Sequence, residues 1–199
     1  WQDDQTVSYI IALQRISPTP ADAMPLPYDE PIENETISPV ADSDIFFFSG
    51  VQDDFIMITL TETGGEYYPA PYLEFFDPDD ERIDDWYAQN TGVSRQFKLT
   101  KTGTYTVLVH EWQDDQTVSY IIPLQRISPT LPGAMRLPYG DPIENETSSA
   151  VTDSDIFCFC GVQDDFIMLT LTETGGGYYP APYLEFFDPD GERIDDWYA

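Results

Sequence analysis

The chain repeats itself: residues 1–88 return, with an offset of 111, as residues 112–199. Of the 88 aligned positions, 15 differ and 73 are identical. A period of this length matches a domain rather than a solenoid unit, which usually spans about 20 to 50 residues. Each period is therefore expected to fold as one domain, and the near-identity indicates recent duplication.

Proline-rich segments set the phase of this repeat. Residues 17–31 and their copy 128–142 hold most of the turn-forming and strand-breaking residues, which is typical of linkers. We therefore predict the C-terminal strand of a preceding module at 1–19, a complete module at 20–131 and the N-terminal part of a following module at 132–199. On this division both ends fall inside modules, as in a piece of a longer array.

The composition predicts a folded chain with an acidic surface. Hydrophobic residues at 41% and aromatic residues at 15% can supply a core, whereas disordered acidic segments are poor in aromatics. The formal net charge of -29 disfavours nucleic acid and anionic membranes as partners, because both require a positive surface. No apolar run approaches the roughly 20 residues that a spanning helix needs, so membrane insertion is not expected.

Short β-branched and aromatic runs, separated by turn residues, predict strands at 44–49, 55–61, 72–76, 95–100, 103–110 and 118–127. Turns are expected near Gly64, at Asp77 and at Lys101. Alternation within the strands assigns one set of side chains to the core. This set is Phe46, Phe48, Ile56, Ile58, Leu60, Leu73, Phe75, Phe97, Leu99, Tyr105, Val107, Val109, Tyr120, Ile122 and Leu124. The predicted fold class is all-β, with antiparallel β-sandwich modules in tandem.

Four motifs resemble the bacterial pre-peptidase C-terminal domain, and they follow the order of that family. They lie at residues 42–48 (DSDIFFF), 73–79 (LEFFDPD), 103–109 (GTYTVLV) and 120–124 (YIIPL). The resemblance implies a jelly-roll-like, non-catalytic module of secreted proteins. In that family such modules flank proteases or recur along surface proteins, and some bind collagen or polysaccharide, sometimes with calcium. The acidic loops of this chain are more crowded than the family usually shows, and no peptidase domain is present in the sequence.

Two groups of aspartates are candidate metal ligands. Asp42 and Asp44, with their copies Asp153 and Asp155, precede a strand. We expect them to accept hydrogen bonds from turn amides, with calcium ligation as the alternative.

The second candidate group is Asp77 and Asp79, which sit in an acidic loop that resembles a calcium site. The second copy replaces Asp80 with Gly191, which gives the tight-turn sequence Asp-Pro-Asp-Gly. A required ligand is not expected to vanish in this way, so a turn is favoured. Calcium stays the one cofactor considered, and no other is expected.

The remaining acidic pairs and the single histidine do not predict a catalytic site. Asp53 and Asp54 are expected in a solvated hairpin turn, and Asp84 and Asp85 in a solvated loop. Two carboxylates at glycosidase spacing arise by accident in a chain this acidic. His110 lies at a strand end, and no motif supports a catalytic triad or a zinc site around it.

The cysteines and the glycosylation sequons are the candidate modification sites. Cys158 and Cys160 share one strand face, where their spacing disfavours a disulfide with each other, so free or interchain thiols are expected. Asn34 and Asn145 each begin an N-x-[ST] sequon on chain that should be exposed. Glycosylation there is one interpretation, and a chance triplet is the other.

An apolar cluster is predicted on the side of the strands that faces away from the core. It comprises Ile45, Phe47, Phe55 and Met57, which alternation places opposite the core positions. Exposed apolar patches usually mark interfaces, so we expect this cluster to contact another module. Coverage by the module's own loop at 64–71 is the alternative.

Two classes of function remain. The first is an extracellular or cell-surface structural or adhesive protein. Its incomplete modules expose unpaired sheet edges, which are completed by neighbouring copies head-to-tail or by further chain, and the apolar cluster predicts lateral contacts between copies. The second is an accessory carbohydrate- or protein-binding module of a secreted hydrolase. No enzymatic activity is predicted.

Overall fold

The computed structural model describes residues 8, 11–38, 42–65, 70–88, 92–114, 116–128, 134–144, 146–147, 154–175 and 181–199. Within these ranges the chain forms fourteen β-strands. They are β1 (Met24–Pro25), β2 (Ile32–Ile37), β3 (Ser43–Gly50), β4 (Phe55–Gly65), β5 (Pro71–Phe76), β6 (Arg82–Tyr87), β7 (Gly92–Lys98), β8 (Gly103–Glu111), β9 (Val118–Ile122), β10 (Leu124–Ser128), β11 (Met135–Arg136), β12 (Phe157–Cys158), β13 (Tyr183–Phe187) and β14 (Arg193–Tyr198). No helix among the described residues is long and apolar enough to cross a membrane.

Strands β1 to β10 build two sheets that share one core. The first sheet has the order β1-β3-β8-β5-β6. In the second sheet, β7 lies on one side of β4, while β9 and β10 lie on the other side and β2 pairs with β9. All these pairs are antiparallel except β1 with β3. The antiparallel β-sandwich predicted from the sequence is confirmed.

The core follows the alternation of the sequence closely. Every predicted core residue is buried except Phe97, which is half-buried and packs against the others. Phe48 stacks on Phe75 and on Tyr105, with ring centroids 6.0 Å and 5.4 Å apart. Stacked rings of this kind add to the free energy gained by burying their area. Pro123 divides the strand predicted at 118–127 into β9 and β10, because proline cannot donate to the ladder.

The first proline-rich segment is not a linker along its whole length. Leu26 is buried in the core, and its N–H donates to the carbonyl of Phe47 over 2.8 Å. Tyr28 packs edge-on against Phe48 at 5.9 Å. The prolines are tolerated because β1 is a short strand at the edge of the first sheet, where few ladder bonds are needed.

Two further predictions of loops are wrong. Asp84 and Asp85 lie within β6, because the alternation of this strand turns Trp86 into the core while Asp85 and Tyr87 face outward. Gly64 lies within β4, where the pairing with β9 shifts register between Glu62 and Gly64. A glycine inside a strand commonly marks such an irregularity.

Asp54, predicted to be solvated, is buried. Its carboxylate Oδ2 lies 3.3 Å from Nε of Arg126 on β10. The Arg126 guanidinium also lies over the ring of Tyr28, 4.4 Å from its centroid. The sandwich therefore buries this aspartate with a cation beside it, which ordinary turn patterns do not reveal.

We call the modules at 20–131 and 132–199 the first and the second copy. The second copy repeats local contacts of the first. Phe159 stacks on Phe186 at 5.9 Å and 19°, as Phe48 stacks on Phe75 at 6.0 Å and 19°. Its strands form two small sheets, β11 with β12 and β13 with β14. Within residues 166–175, which copy most of β4, no strand forms. In the first copy, β4 pairs with β7, β9 and β10.

Candidate binding surface

The aspartates at the start of β3 serve two different purposes. Asp42 accepts hydrogen bonds from the N–H groups of Ser43 (2.9 Å) and Ser38 (3.4 Å). Asp44 instead accepts the hydroxyl of Tyr120 at 2.6 Å. Burial raises the pKa of Asp44, and this hydrogen bond opposes the rise. Amide capping thus describes Asp42, while Asp44 ties the first sheet to the second.

The loop of Asp77 has the geometry of a turn closed by a lysine. Asp77 Oδ1 accepts the N–H groups of Asp79 (2.8 Å) and Glu81 (3.0 Å). Lys101 Nζ pairs with Asp77 and lies 2.7 Å from Asp79 Oδ2. Burial alone would raise the pKa of Asp77, but Lys101 and the two amides together lower it. The ammonium group supplies the positive charge that these carboxylates need.

The other predicted metal ligands and the cysteines lie in the second copy. Asp155 is exposed, and Asp153 lies outside the described residues. Across the part of the chain that the structure describes, no three His, Cys, Asp or Glu side chains come together as a metal site. Cys158 is half-buried and Cys160 exposed, and both are free thiols.

The sequon of Asn34 lies on β2 and faces solvent. Asn34 adopts a φ of 62°, where the pairing of β2 with β9 shifts register. Asn145 lies outside the described residues. Glycosylation of either asparagine stays a prediction.

The predicted apolar cluster is divided between two faces. Ile45 and Phe47 belong to β3 of the first sheet, whereas Phe55 and Met57 belong to β4 of the second. One continuous patch was therefore a wrong prediction, because alternation tells which side of a strand a residue occupies but not which sheet holds the strand.

Ile45 is also buried rather than exposed. It lies opposite Leu108 of β8 and lines a cavity together with Leu13 and Met24. Phe47, Phe55 and Met57 are half-buried. The role of these residues as partner contacts stays a prediction from the sequence.

Outward side chains of β5, β6 and β8, with Trp112 directly after β8, form a surface that sequence reasoning missed. Tyr72 contacts His110 at 5.0 Å and Trp112 at 4.9 Å, and Tyr87 contacts Trp112 at 5.4 Å between ring centroids. Tyr87 is 52% exposed and Trp112 51% exposed. We call these four residues the aromatic surface.

Carboxylates border the aromatic surface. Tyr72 donates its hydroxyl to Asp85, while Asp114 Oδ1 lies 3.2 Å from His110 Nδ1. Glu74 Oε1 lies 3.7 Å from His110 Nε2. Burial, followed by the hydrogen bond to Asp85, raises the pKa of Tyr72 to about 12. The phenol therefore stays a neutral donor at physiological pH.

An arginine holds two of these carboxylates in place. Arg82 Nη1 lies 3.1 Å from Glu74 and 3.6 Å from Asp85. The pairing of β5 with β6 places Glu74 opposite Asp85 and Tyr72 opposite Tyr87. Exposed ion pairs of this kind contribute little to stability, so their effect here is mainly to fix the positions of the charges.

The same arrangement recurs in the second copy. Tyr183 lies 4.5 Å from Tyr198 and donates to Asp196 Oδ2 at 2.6 Å. Arg193 lies 3.4 Å from Glu185 and 3.3 Å from Asp196. The hydrogen bond to Asp196 raises the pKa of Tyr183 to about 12. A two-stranded hairpin is thus sufficient to hold the phenol and the charges together.

Only part of the aromatic surface could have been found in the sequence. The alternation of Tyr72 with Glu74, and of Asp85 with Tyr87, signals outward-facing residues on two strands. Trp112 lies 40 positions after Tyr72 in the chain, and its contact with Tyr72 depends on the antiparallel pairing of β5 with β8.

The solved structures that are similar to part of this chain include the following two. The pre-peptidase C-terminal domain of a collagenase from Bacillus anthracis has a TM-score of 0.43 and 16% identity, and the match covers 53% of this chain and 97% of that one. Aeromonas hydrophila PliG, a periplasmic inhibitor of g-type lysozyme, has a TM-score of 0.35 and 12% identity, over 52% of this chain and 95% of that one. A solved member of the family that the four sequence motifs resemble is thus among the similar structures. No protein-family model and no curated protein matches the chain.

Proposed function

We propose that the chain is a non-catalytic extracellular adhesive module that binds basic segments of partner proteins at the aromatic surface. The observation that carries this proposal is the set of half-exposed rings beside carboxylates, in a chain with a net charge of -29. Lysine and arginine are attracted to the faces of Trp and Tyr rings, by about 0.5–1 kcal/mol at exposed sites. The acidic surface raises the local concentration of such cations.

The rigidity of the surface favours this role. Tyr72 and His110 lie on paired strands of the first sheet, and the N–H of Trp112 donates to the carbonyl of Ala70 over 2.9 Å. A partner therefore meets rings that are already ordered, which lowers the entropic cost of binding. Exposed Trp and Tyr side chains are also the residues that most often anchor interfaces.

The repeat supports adhesion rather than a single binding event. Tyr183, Tyr198 and Asp196 reproduce part of the surface in the second copy. Two weak sites on one chain increase avidity when a partner can reach both. The extracellular location is part of the proposal and is supported by the resemblance of the four motifs to a family of secreted modules.

An accessory module that binds neutral carbohydrate is the alternative use of the same rings. The carboxylates and the strong negative charge favour a basic partner over an uncharged one. Binding to a basic segment should weaken with salt, because exposed charges are screened over about 10 Å at 0.1 M. Binding to a neutral sugar should not.

The test is titration of the full chain with an alternating lysine-glycine peptide and, separately, with an uncharged cello-oligosaccharide. Tryptophan fluorescence and calorimetry would report binding. We expect peptide binding that weakens with salt, and a loss of affinity of about fivefold in Trp112→Ala and in Tyr87→Ala. Tyr139→Ala, at an exposed tyrosine elsewhere, is the matched control. Binding of the sugar alone, or unchanged peptide affinity in Trp112→Ala, would refute the proposal.

A further inference from the structure

The second copy rests on the outer face of the second sheet of the first copy. Phe187 of β13 packs against Phe55 of β4, with ring centroids 5.5 Å apart. Gln96 of β7 donates to Glu185 Oε2 at 2.7 Å. The turn at Gly191 lies so close that a Cβ there would approach the Phe55 Cβ to 2.9 Å.

The two faces that meet are different faces of the module. Phe55 and Gln96 lie on neighbouring strands of the second sheet. Glu185 and Phe187 are copies of Glu74 and Phe76, whose side chains point outward from the first sheet. A contact between unlike faces is heterologous, so it can recur from one copy to the next in a single direction.

A hydrogen bond shows that this register occurs twice. Gln125 of β10 donates to the carbonyl of Ser154 at 3.1 Å. The positions 111 residues earlier are Gln14 and Ser43, and Gln14 donates to the carbonyl of Ser43 at 2.9 Å. The segment around Gln14 therefore contacts the first copy in the same way as β10, at the end of the first copy, contacts the second copy.

A second pair of positions agrees with this register. Ser17 donates its hydroxyl to Asp80. Their copies are Ser128 and Gly191. Ser128 pairs with Phe55 in the sheet, and Gly191 packs on Phe55. There are thus two junctions, one between the segment around Gln14 and the first copy and one between the first and second copies. Corresponding positions come together at both, although the side chains differ.

We propose that successive copies of this repeat stack in one fixed register. In this register, the outer face of the second sheet of each copy is covered by one end of the outer face of the first sheet of the next, the end that holds Phe187 and Gly191. Tyr183 and Tyr198, at the other end of the hairpin, stay 43% and 72% exposed, so this stacking leaves the aromatic surface open. The copies of Phe55 and Met57 are Phe166, which is fully exposed, and Met168, which is largely exposed, so these side chains are accessible to a further copy. This inference goes beyond the binding function proposed above and does not depend on it.

The turn residue, Asp80 in the first copy and Gly191 in the second, determines whether the contact at each junction is polar or apolar. Asp80 and Gly191 adopt the same left-handed turn, with φ of 66° and 80°. At Gly191 the absent side chain leaves room for the Phe55 ring. At Asp80 the carboxylate accepts a hydrogen bond from Ser17 instead. The first junction is therefore polar at this point, and the second is apolar.

Hydrogen exchange on the full chain tests the stacking without any ligand. Phe55→Ala should accelerate exchange of the β13 and β14 amides by about tenfold, because loss of the aromatic contact lets this hairpin open more often. Phe166→Ala changes the corresponding residue of the second copy, which is fully exposed, and should leave these amides unchanged. Gly191→Asp should act like Phe55→Ala, while Asp80→Gly should not.

The amides of β3 and β8 report whether the first copy stays folded. If Phe55→Ala also accelerates their exchange, the first copy itself is destabilised, and the comparison of Gly191→Asp with Asp80→Gly then tests the stacking. Gly191 lies outside the first copy, so its substitution does not alter the core of that copy. Equal effects of Phe55→Ala and Phe166→Ala with β3 and β8 intact, or equal effects of the two turn variants, would overturn the proposal. So would a protection of β13 that disappears on dilution, since stacking within one chain does not depend on concentration.

Discussion

Arg126 of β10 forms an ion pair with the buried carboxylate of Asp54 at the start of β4, across 3.3 Å. Removal of one partner from such a pair leaves an uncompensated charge in the interior. We predict that Arg126→Met lowers the free energy of unfolding by about 3 kcal/mol. Urea denaturation followed by tryptophan fluorescence would measure the change.

Two controls separate the buried charge from other effects of this substitution. Addition of Asp54→Asn to Arg126→Met should recover part of the loss, because the unpaired charge is then gone. Arg193→Met breaks ion pairs at the surface and should cost less than about 1 kcal/mol. If Arg126→Met and Arg193→Met lowered the free energy of unfolding equally, the buried pair with Asp54 would contribute no more than a surface ion pair.

Gly50 gives a prediction about packing, with a control supplied by the repeat. A Cβ at Gly50 would lie 2.4 Å from Leu99 Cδ1 and 2.7 Å from the Tyr105 ring. Gly50→Ala should therefore destabilise the first copy by about 1–3 kcal/mol, since overpacking forces neighbours out of place. The same substitution at Gly161, where the nearest atom belongs to Phe159 at 3.8 Å, should cost almost nothing. Thermal unfolding would measure the change in melting temperature of each variant, and equal changes would contradict this account.

The lowered pKa of Asp77 predicts a contribution to stability that depends on pH. The carboxyl is ionised more readily in the folded chain than at its ordinary value of 3.8. Its contribution is therefore present above about pH 4 and is lost as the pH falls through the folded-state pKa. Asp77→Asn should be less stable than the wild type at neutral pH, and the difference should shrink below pH 3.8. A difference in urea midpoint that stays constant down to pH 2 would contradict this assignment.

The strands and the core could be predicted because alternation is a local property. The inward orientation of Phe46, Phe48 and Phe75 follows from their alternation with neighbouring residues along each strand. The strand β6 was not predicted because its acidic residues are typical of a loop. Trp86 is its one buried side chain.

The surfaces could not be predicted, because they depend on which strands become neighbours. Trp112 and Tyr87 meet only after β5 has paired with both β6 and β8. Phe47 and Phe55 are eight positions apart in the sequence, and yet they belong to different sheets. Alternation carries no information on either point.

Photocrosslinking from position 55 tests the central claim, that one copy of the repeat stacks on the next, most directly. With p-benzoylphenylalanine in place of Phe55, mass spectrometry of the irradiated monomer should find crosslinks to the segment that contains Phe187 and Gly191. The same photoreactive residue in place of Phe166 should give no crosslink to residues 70–88, the corresponding part of the first copy. Crosslinks from position 55 that spread over the chain, or the same products from both positions, would contradict stacking in a fixed register.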